Sequence, residues 1–146
     1  MKISIASDHG GFDLKSQVLE YLNSKNFSVT DEGCFDKSSV NYPDYAKKVC
    51  KSILDKKSDM GILICTTGIG ISMTANRFEG IRAALCLNED MAMMTRLHND
   101  ANVLCIGAKY TPIELAKKLI DTFFSTEFEG GRHQTRIDNI NSKFCE

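Results

Sequence analysis

Neither sign of charge dominates this chain. Its 146 residues carry 18 Lys and Arg against 19 Asp and Glu, a formal charge of −1. No global basic field is available to hold nucleic acid or an anionic membrane, so an anionic ligand must be met by local charges and backbone dipoles. Long apolar runs are also missing. The unbroken stretch Met60–Cys65 falls far short of the ~20 residues that span a bilayer. Asp8 interrupts the first residues before a signal-like apolar segment forms, and a cytoplasmic location is expected. The six cysteines (Cys34, Cys50, Cys65, Cys86, Cys105 and Cys145) are nowhere closer than fifteen residues, which excludes a CxxC zinc or redox pair. A disulfide framework is not expected without secretion, and most of these thiols read as small buried hydrophobes. Repeats, low-complexity segments and linkers are absent. With 42% apolar and 25% charged residues the chain is neither collagen-like nor disordered, and its length suits one domain over residues 1–146.

What is present is an alternation. Lys2–Ser7 reads as a strand. Gly10-Gly11 breaks it from a helical stripe over Phe12–Lys25, carried by Leu14, Val18 and Leu22. Phe27–Asp31 is a second strand and Cys34–Asn41 a loop. Tyr42-Pro43-Asp44 opens a helix that runs to about Lys57. Met60–Cys65 has the uncharged composition of a strand covered on both faces. Thr66–Ser72 turns into a helix that ends near Arg77, and Ile81–Leu87 is a further apolar run. Asn88 caps a helix over Met91–Leu97, with Glu89 and Asp90 in its first turn. Val103–Ile106 is the fifth strand, Thr111-Pro112 starts a helix, and Phe128–Ile140 is a polar tail of helical character. Such alternation predicts α/β: a Rossmann-like three-layer α/β/α sandwich, with a five-stranded parallel sheet and a C-terminal helical tail.

Ligands of open parallel sheets sit beyond the carboxyl ends of the strands. Two such ends carry reactive groups. In Cys65-Thr66-Thr67-Gly68-Ile69-Gly70-Ile71-Ser72, a glycine-containing turn enters a helix whose first N–H groups suit an oxyanion or phosphate. No Lys-Ser or Lys-Thr follows Gly70, and Met73 stands where a dinucleotide fingerprint has its third glycine. A tight strand–helix connection explains the same glycines. Cys65 stands at the mouth of this turn, where the positive end of a helix favours thiolate over thiol; a core cysteine is the plainer reading. Asp8-His9-Gly10-Gly11 ends the first strand, as a site or as a capping Asp beside a solvated His. His98-Asn99-Asp100 lies between the fourth helix and the fifth strand, where it could simply stop the helix. Arg132 and Arg136 share one face at i,i+4. Paired guanidinium groups suit a phosphate dianion, although a solvated basic turn is the usual fate of surface arginines.

Taken together and in order, the segments Ser7–Phe12, Tyr42–Ala46, Cys65–Ser72, Gly80–Ala84, His98–Val103 and Phe128–Gln134 resemble the B-type ribose-5-phosphate isomerases, a family that includes galactose-6-phosphate isomerase subunits and allose-phosphate isomerases. The resemblance implies an aldose–ketose isomerase, free of metal and cofactor, that interconverts ribose 5-phosphate and ribulose 5-phosphate through an enediolate. Cys65 would move the proton and His98 would open the sugar ring. Thr66, Thr67, Gly68, Ile69 and Gly70 would form the anion hole. Asp8, His9 and Asn99 would bind sugar hydroxyls, and Arg132 and Arg136 the phosphate. Lys109 stands where the family often has Arg, which keeps the charge without the fork geometry. Thr66 replaces a usual Gly, and a β-branched residue there predicts negative φ. A six-carbon substrate (allose 6-phosphate or galactose 6-phosphate) is the first alternative, a nucleotide-binding module the second.

One expectation is geometric. Asp8 and Cys65 follow their strands, whereas His98 precedes one, so His98 belongs at the opposite edge of the sheet from Cys65. The site would then be shared between two subunits of a homodimer, with a dimer of dimers as a further possibility.

Overall fold

The computed structural model describes residues 1–140 and 142. Five parallel strands, β1 (Lys2–Ser7), β2 (Ser28–Asp31), β3 (Met60–Cys65), β4 (Ala83–Leu85) and β5 (Val103–Gly107), lie in the order β2-β1-β3-β5-β4. Six helices accompany them: α1 (Phe12–Ser24), α2 (Tyr42–Leu54), α3 (Ile69–Ala75), α4 (Glu89–Asn99), α5 (Ile113–Ser125) and α6 (Arg132–Ile140). No helix among the described residues is long and apolar enough to cross a membrane.

The continuous apolar runs divide by the two-residue period of a strand. Ile62 and Ile64 of β3, with Leu104 and Ile106 of β5, face a core completed by Leu14, Val18, Leu119 and Phe123 of α1 and α5. Leu63 and Cys65, with Val103 and Cys105, face the opposite core with Val49 of α2 and Ile71 of α3. Both faces of β3 are therefore dry, which is why its sequence carries no charge. Burial of one such Leu, Ile or Phe side chain stabilises the fold by ~1.5–3 kcal/mol.

Several ends differ from the pattern read in the sequence. Helix α2 stops at Leu54 rather than near Lys57, because Lys56 takes φ 58° and its N–H bonds back to the Ile53 carbonyl. The Ile81–Leu87 run yields only the three-residue β4, its backbone at Ala83 bonded to both ends of the Asn76 amide. Helix α4 is longer than Met91–Leu97 at both ends. Asn88 Oδ1 accepts the Met91 N–H at 2.9 Å and starts it. His98 and Asn99 are its last two residues, not a turn beyond it, and Asp100 at φ 43° ends it. The conformation at Asp100 is held by charge: Arg96 Nη1 donates to its Oδ1 at 2.8 Å, and Arg82 Nη2 to its Oδ2 at 3.0 Å. Arg96 is itself buried and donates to the Ala101 and Thr126 carbonyls. It thereby ties the end of α4 to the end of α5.

Candidate active site

Strand order reverses between β1 and β3: β1 leads outward to β2, while β3 leads toward β5 and β4. The carboxyl ends of strands on either side of such a reversal diverge and leave a crevice. Asp8 follows β1 there and Cys65 ends β3. The Asp8 N–H donates to the Ile64 carbonyl at 3.2 Å, which locks the two ends together. Asp8 is also a cap. Its Oδ1 accepts the Gly11 N–H at 3.0 Å and starts a short 3-10 turn over His9–Gly11. His9 is exposed, and its Nδ1 accepts the Val40 N–H at 3.1 Å. With Nδ1 the acceptor, neutral His9 carries its proton on Nε2.

Cys65 is only 4% exposed, and its Sγ accepts the Gly68 N–H at 3.1 Å. That bond requires Gly68 at φ 75°, a conformation glycine adopts at no steric cost. The expected cradle is thus partly turned on itself. The Gly68 N–H serves the sulfur, and the Ile69 N–H donates to Thr67 Oγ1 at 3.3 Å. Gly70 and Ile71, in the first turn of α3, have no intrahelical acceptor for their N–H groups. Thr66 is not among the residues with positive φ. Its Oγ1 fills the space that a Cβ on Gly10 would occupy, so the β1 and β3 loops interlock through a side chain that a glycine at this position would lack. The Ala108 and Lys109 N–H groups, just past β5, bond the Cys65 and Thr66 carbonyls at 2.9 Å each. Lys109 is therefore at the same edge, with its side chain exposed.

His98, Asn99, Arg132 and Arg136 are elsewhere. Gly61 pairs with Val103 and Cys65 with Gly107, and α4 ends just before Val103. His98 thus lies toward the amino edge of the sheet, roughly 13 Å from the carboxyl edge at ~3.3 Å per residue along β3. Here it stacks on His133, with ring centroids 4.2 Å apart and planes inclined by 14°. The Nε2 atoms of His98 and His133 each stand 3.7 Å from Glu129 Oε2. The tail is anchored to α4 by the Glu129 N–H, which donates to the Leu97 carbonyl. Burial first, and then the charge of His98, hold the His133 imidazole below its ordinary value. His98, Asn99, His133 and Arg136 line one surface cavity of about 330 Å³. Neither Arg132 nor Arg136 makes an ion pair or a side-chain hydrogen bond among the described residues.

One chain therefore separates the expected residues into two groups: Asp8, His9, Cys65 to Gly70 and Lys109 at the carboxyl edge, and His98, Asn99, Arg132 and Arg136 at the other. The sequence reading assigned no role to Tyr42, whose ring lies against Gly70, nor to Glu129 and His133. The i,i+4 spacing of Glu129 and His133 was the available signal; no spacing links either to His98. Cys145 lies outside the described residues.

Residues 3–140 match the model of a family described as ribose/galactose isomerase. A protein of Rickettsia bellii, provisionally named a sugar phosphate isomerase, is 52% identical over 94% of this chain and 96% of its own. Ribose-5-phosphate isomerase B of Escherichia coli is 42% identical over 95% of this chain and 93% of its own. The crystal structure of a ribose 5-phosphate isomerase from Thermotoga maritima superposes with a TM-score of 0.95 at 54% identity, covering 96% of this chain and 97% of that one.

Proposed function

The chain belongs to the ribose/galactose isomerase family, and from that premise we propose that it interconverts ribose 5-phosphate and ribulose 5-phosphate, with Cys65 as the proton-transfer base. The observation that carries this reading is the placement of the Cys65 sulfur at the strand-order reversal, oriented by the Gly68 N–H at 3.1 Å. The names of the relatives support the substrate.

A proton on the carbon next to a carbonyl is weakly acidic, so its removal needs a nearby base and donors for the oxygen that becomes negative. In this reaction the C2–H bond breaks and its electron pair forms the C1–C2 double bond, while charge moves to the C1 oxygen. Return of the proton to C1, with transfer of the O2 proton to the C1 oxygen, gives the ketose. Cys65 carries the carbon-bound proton. The Gly70 N–H, at the start of α3, stabilises the developing enediolate oxygen. Asp8 and the Nε2–H of His9 bind sugar hydroxyls, as does Asn99. His98 passes the proton that opens the ring. Arg132, Arg136 and Lys109 hold the phosphate, whose binding energy orients the reacting carbons.

The two half-sites complete one another only across a two-fold axis, in a homodimer that brings the His98 end of one subunit to the Cys65 end of the other. Exposed apolar side chains at the carboxyl edge support this assembly: Ile69 and Met73 on α3, Leu87 after β4, Met91 in the first turn of α4 and Tyr110 after β5. Such a rim beside a catalytic loop is the signature of a covered surface.

The test is turnover by the purified protein of ribose 5-phosphate, allose 6-phosphate and galactose 6-phosphate, measured side by side. Ribose 5-phosphate is expected to have the highest kcat/KM. A clear preference for a six-carbon substrate replaces the substrate assignment, and turnover of none overturns the isomerase reading.

A further inference from the structure

Three ligating atoms converge where the tail meets the end of α4. His98 Nε2 and His133 Nε2 each lie 3.7 Å from Glu129 Oε2, and all three atoms fall within 4.8 Å of one another. Bonds of ~2.0–2.2 Å to a tetrahedral zinc ion place ligand atoms roughly 3.3–3.6 Å apart. The two His–Glu gaps therefore need to contract by only a few tenths of an ångström. The His–His gap, within 4.8 Å, adjusts by rotation of His98, whose side chain is 39% exposed. His133 is the opposite case. It is 3% exposed, and its Nε2 has no hydrogen-bond partner among the described residues. A buried polar nitrogen without a partner costs free energy that a ligand would recover.

We propose that His98, Glu129 and His133 form a binding site for a divalent transition-metal ion of the zinc type, with its fourth position open to the adjoining cavity. The donor set selects the ion. Two imidazoles and one carboxylate suit Zn²⁺, Co²⁺ and Ni²⁺, whereas Mg²⁺ and Ca²⁺ take oxygen ligands. The local field reinforces that choice. Arg136 lines the same cavity and Arg132 adjoins His133, so two positive charges stand against the one carboxylate of Glu129. Only an ion with intrinsic affinity for imidazole nitrogen overcomes them. The site is distinct from any need of the isomerisation, which proceeds without an ion in the scheme above. Its consequence for turnover rests on that scheme: an ion held on His98 Nε2 takes away the group assigned to ring opening, so binding inhibits.

The experiment titrates the full chain, stripped of metal by chelator, in phosphate-free buffer. Zn²⁺ binding is followed by calorimetry and Co²⁺ binding by visible absorption. The expected result is a single ion per chain, a tetrahedral-type cobalt band without sulfur charge transfer, and no heat from Mg²⁺. Glu129→Gln and His133→Phe are each expected to weaken Zn²⁺ binding by at least about tenfold, the lower bound of what even an outer-sphere partner of a metal contributes. Glu129 is exposed, so Glu129→Gln keeps the test valid should His133→Phe fail to fold. Absence of binding, a sulfur charge-transfer band, or parental affinity in Glu129→Gln overturns the proposal. In the parent, Zn²⁺ is further expected to suppress ribose 5-phosphate turnover, and EDTA to restore it. Binding with the expected ligands but undiminished turnover upholds the site and counts against the role of His98.

Discussion

The Gly68 amide donates to the Cys65 sulfur across 3.1 Å, so the residue that turns the chain into α3 also sets the direction of the thiol. The sulfur is thereby held at the end of β3, where Asp8 and His9 approach from β1. Cys65→Ala is expected to lower kcat for ribose 5-phosphate by about 10²–10⁴-fold, the range of general acid–base catalysis, with KM largely kept. Cys65→Ser should be poor as well, since a hydroxyl is a far weaker acid than a thiol. Cys34→Ala, at a buried thiol against Ser7, should change little. Steady-state kinetics decide, and near-parental turnover by Cys65→Ala removes the sulfur from the mechanism.

Arg132→Ala and Arg136→Ala are each expected to raise KM for ribose 5-phosphate, with a smaller loss in kcat from poorer orientation. Their guanidinium groups have no protein partner among the described residues, so neither change removes an internal contact recorded there. If both variants keep the parental KM, the phosphate is held elsewhere.

The separation of Cys65 and His98 gives a complementation test. Cys65→Ala and His98→Ala homodimers should each be nearly inactive. After subunit exchange, heterodimers should regain one intact site, approaching half the parental activity. Heterodimers that form, as shown by tag capture, yet stay inactive would place both residues in the same chain's site.

Burial pushes the Cys50 thiol up to about 11 and the Cys86 thiol up to about 12, and it raises that of Cys105 well above its usual value. All three should resist iodoacetamide near neutral pH, because the thiolate is the reacting species. Cys65, at the mouth of its loop, should be modified first among the cysteines of the described residues, with activity lost in step. Peptide mass spectrometry reads the order, and early labelling of Cys50 or Cys86 contradicts the buried setting.

Lys15 is 1% exposed and reaches both Asp31 oxygens, at 2.6 and 2.7 Å. Asp31 Oδ1 also accepts the Gly33 N–H at 2.9 Å, and Gly33 bonds in turn to Ser7, next to Asp8. The pair thus braces the β1 end of the site. Removing one partner of a buried pair costs about 3–5 kcal/mol. Lys15→Met is expected to approach that loss, read as a lower urea midpoint with an unchanged m-value. A midpoint equal to the parent's would mean that packing replaces the charge.

The amino-acid sequence by itself determined the alternating strands and helices, the dry strand β3, the Asn88 cap and the placement of Asp8 and Cys65 at strand ends. Each of these is written in neighbouring residues: a period of two, a stripe of 3.6, or a side chain that reaches its own backbone. It also implied that His98 stands away from Cys65, since His98 precedes a strand and Cys65 ends one. Tertiary structure decided the rest. Helix α4 carries His98 and Asn99 because Arg96 and Arg82 grip Asp100 in a left-handed conformation, and Arg82 comes from the chain before β4. The Gly68 N–H went to sulfur rather than to a ligand because the turn folds back on Cys65. Glu129 and His133 met His98 because the Glu129 N–H docks the tail on α4 at Leu97, thirty-two residues earlier. No local pattern encodes such contacts, since distant segments meet only where the packed core leaves them side by side.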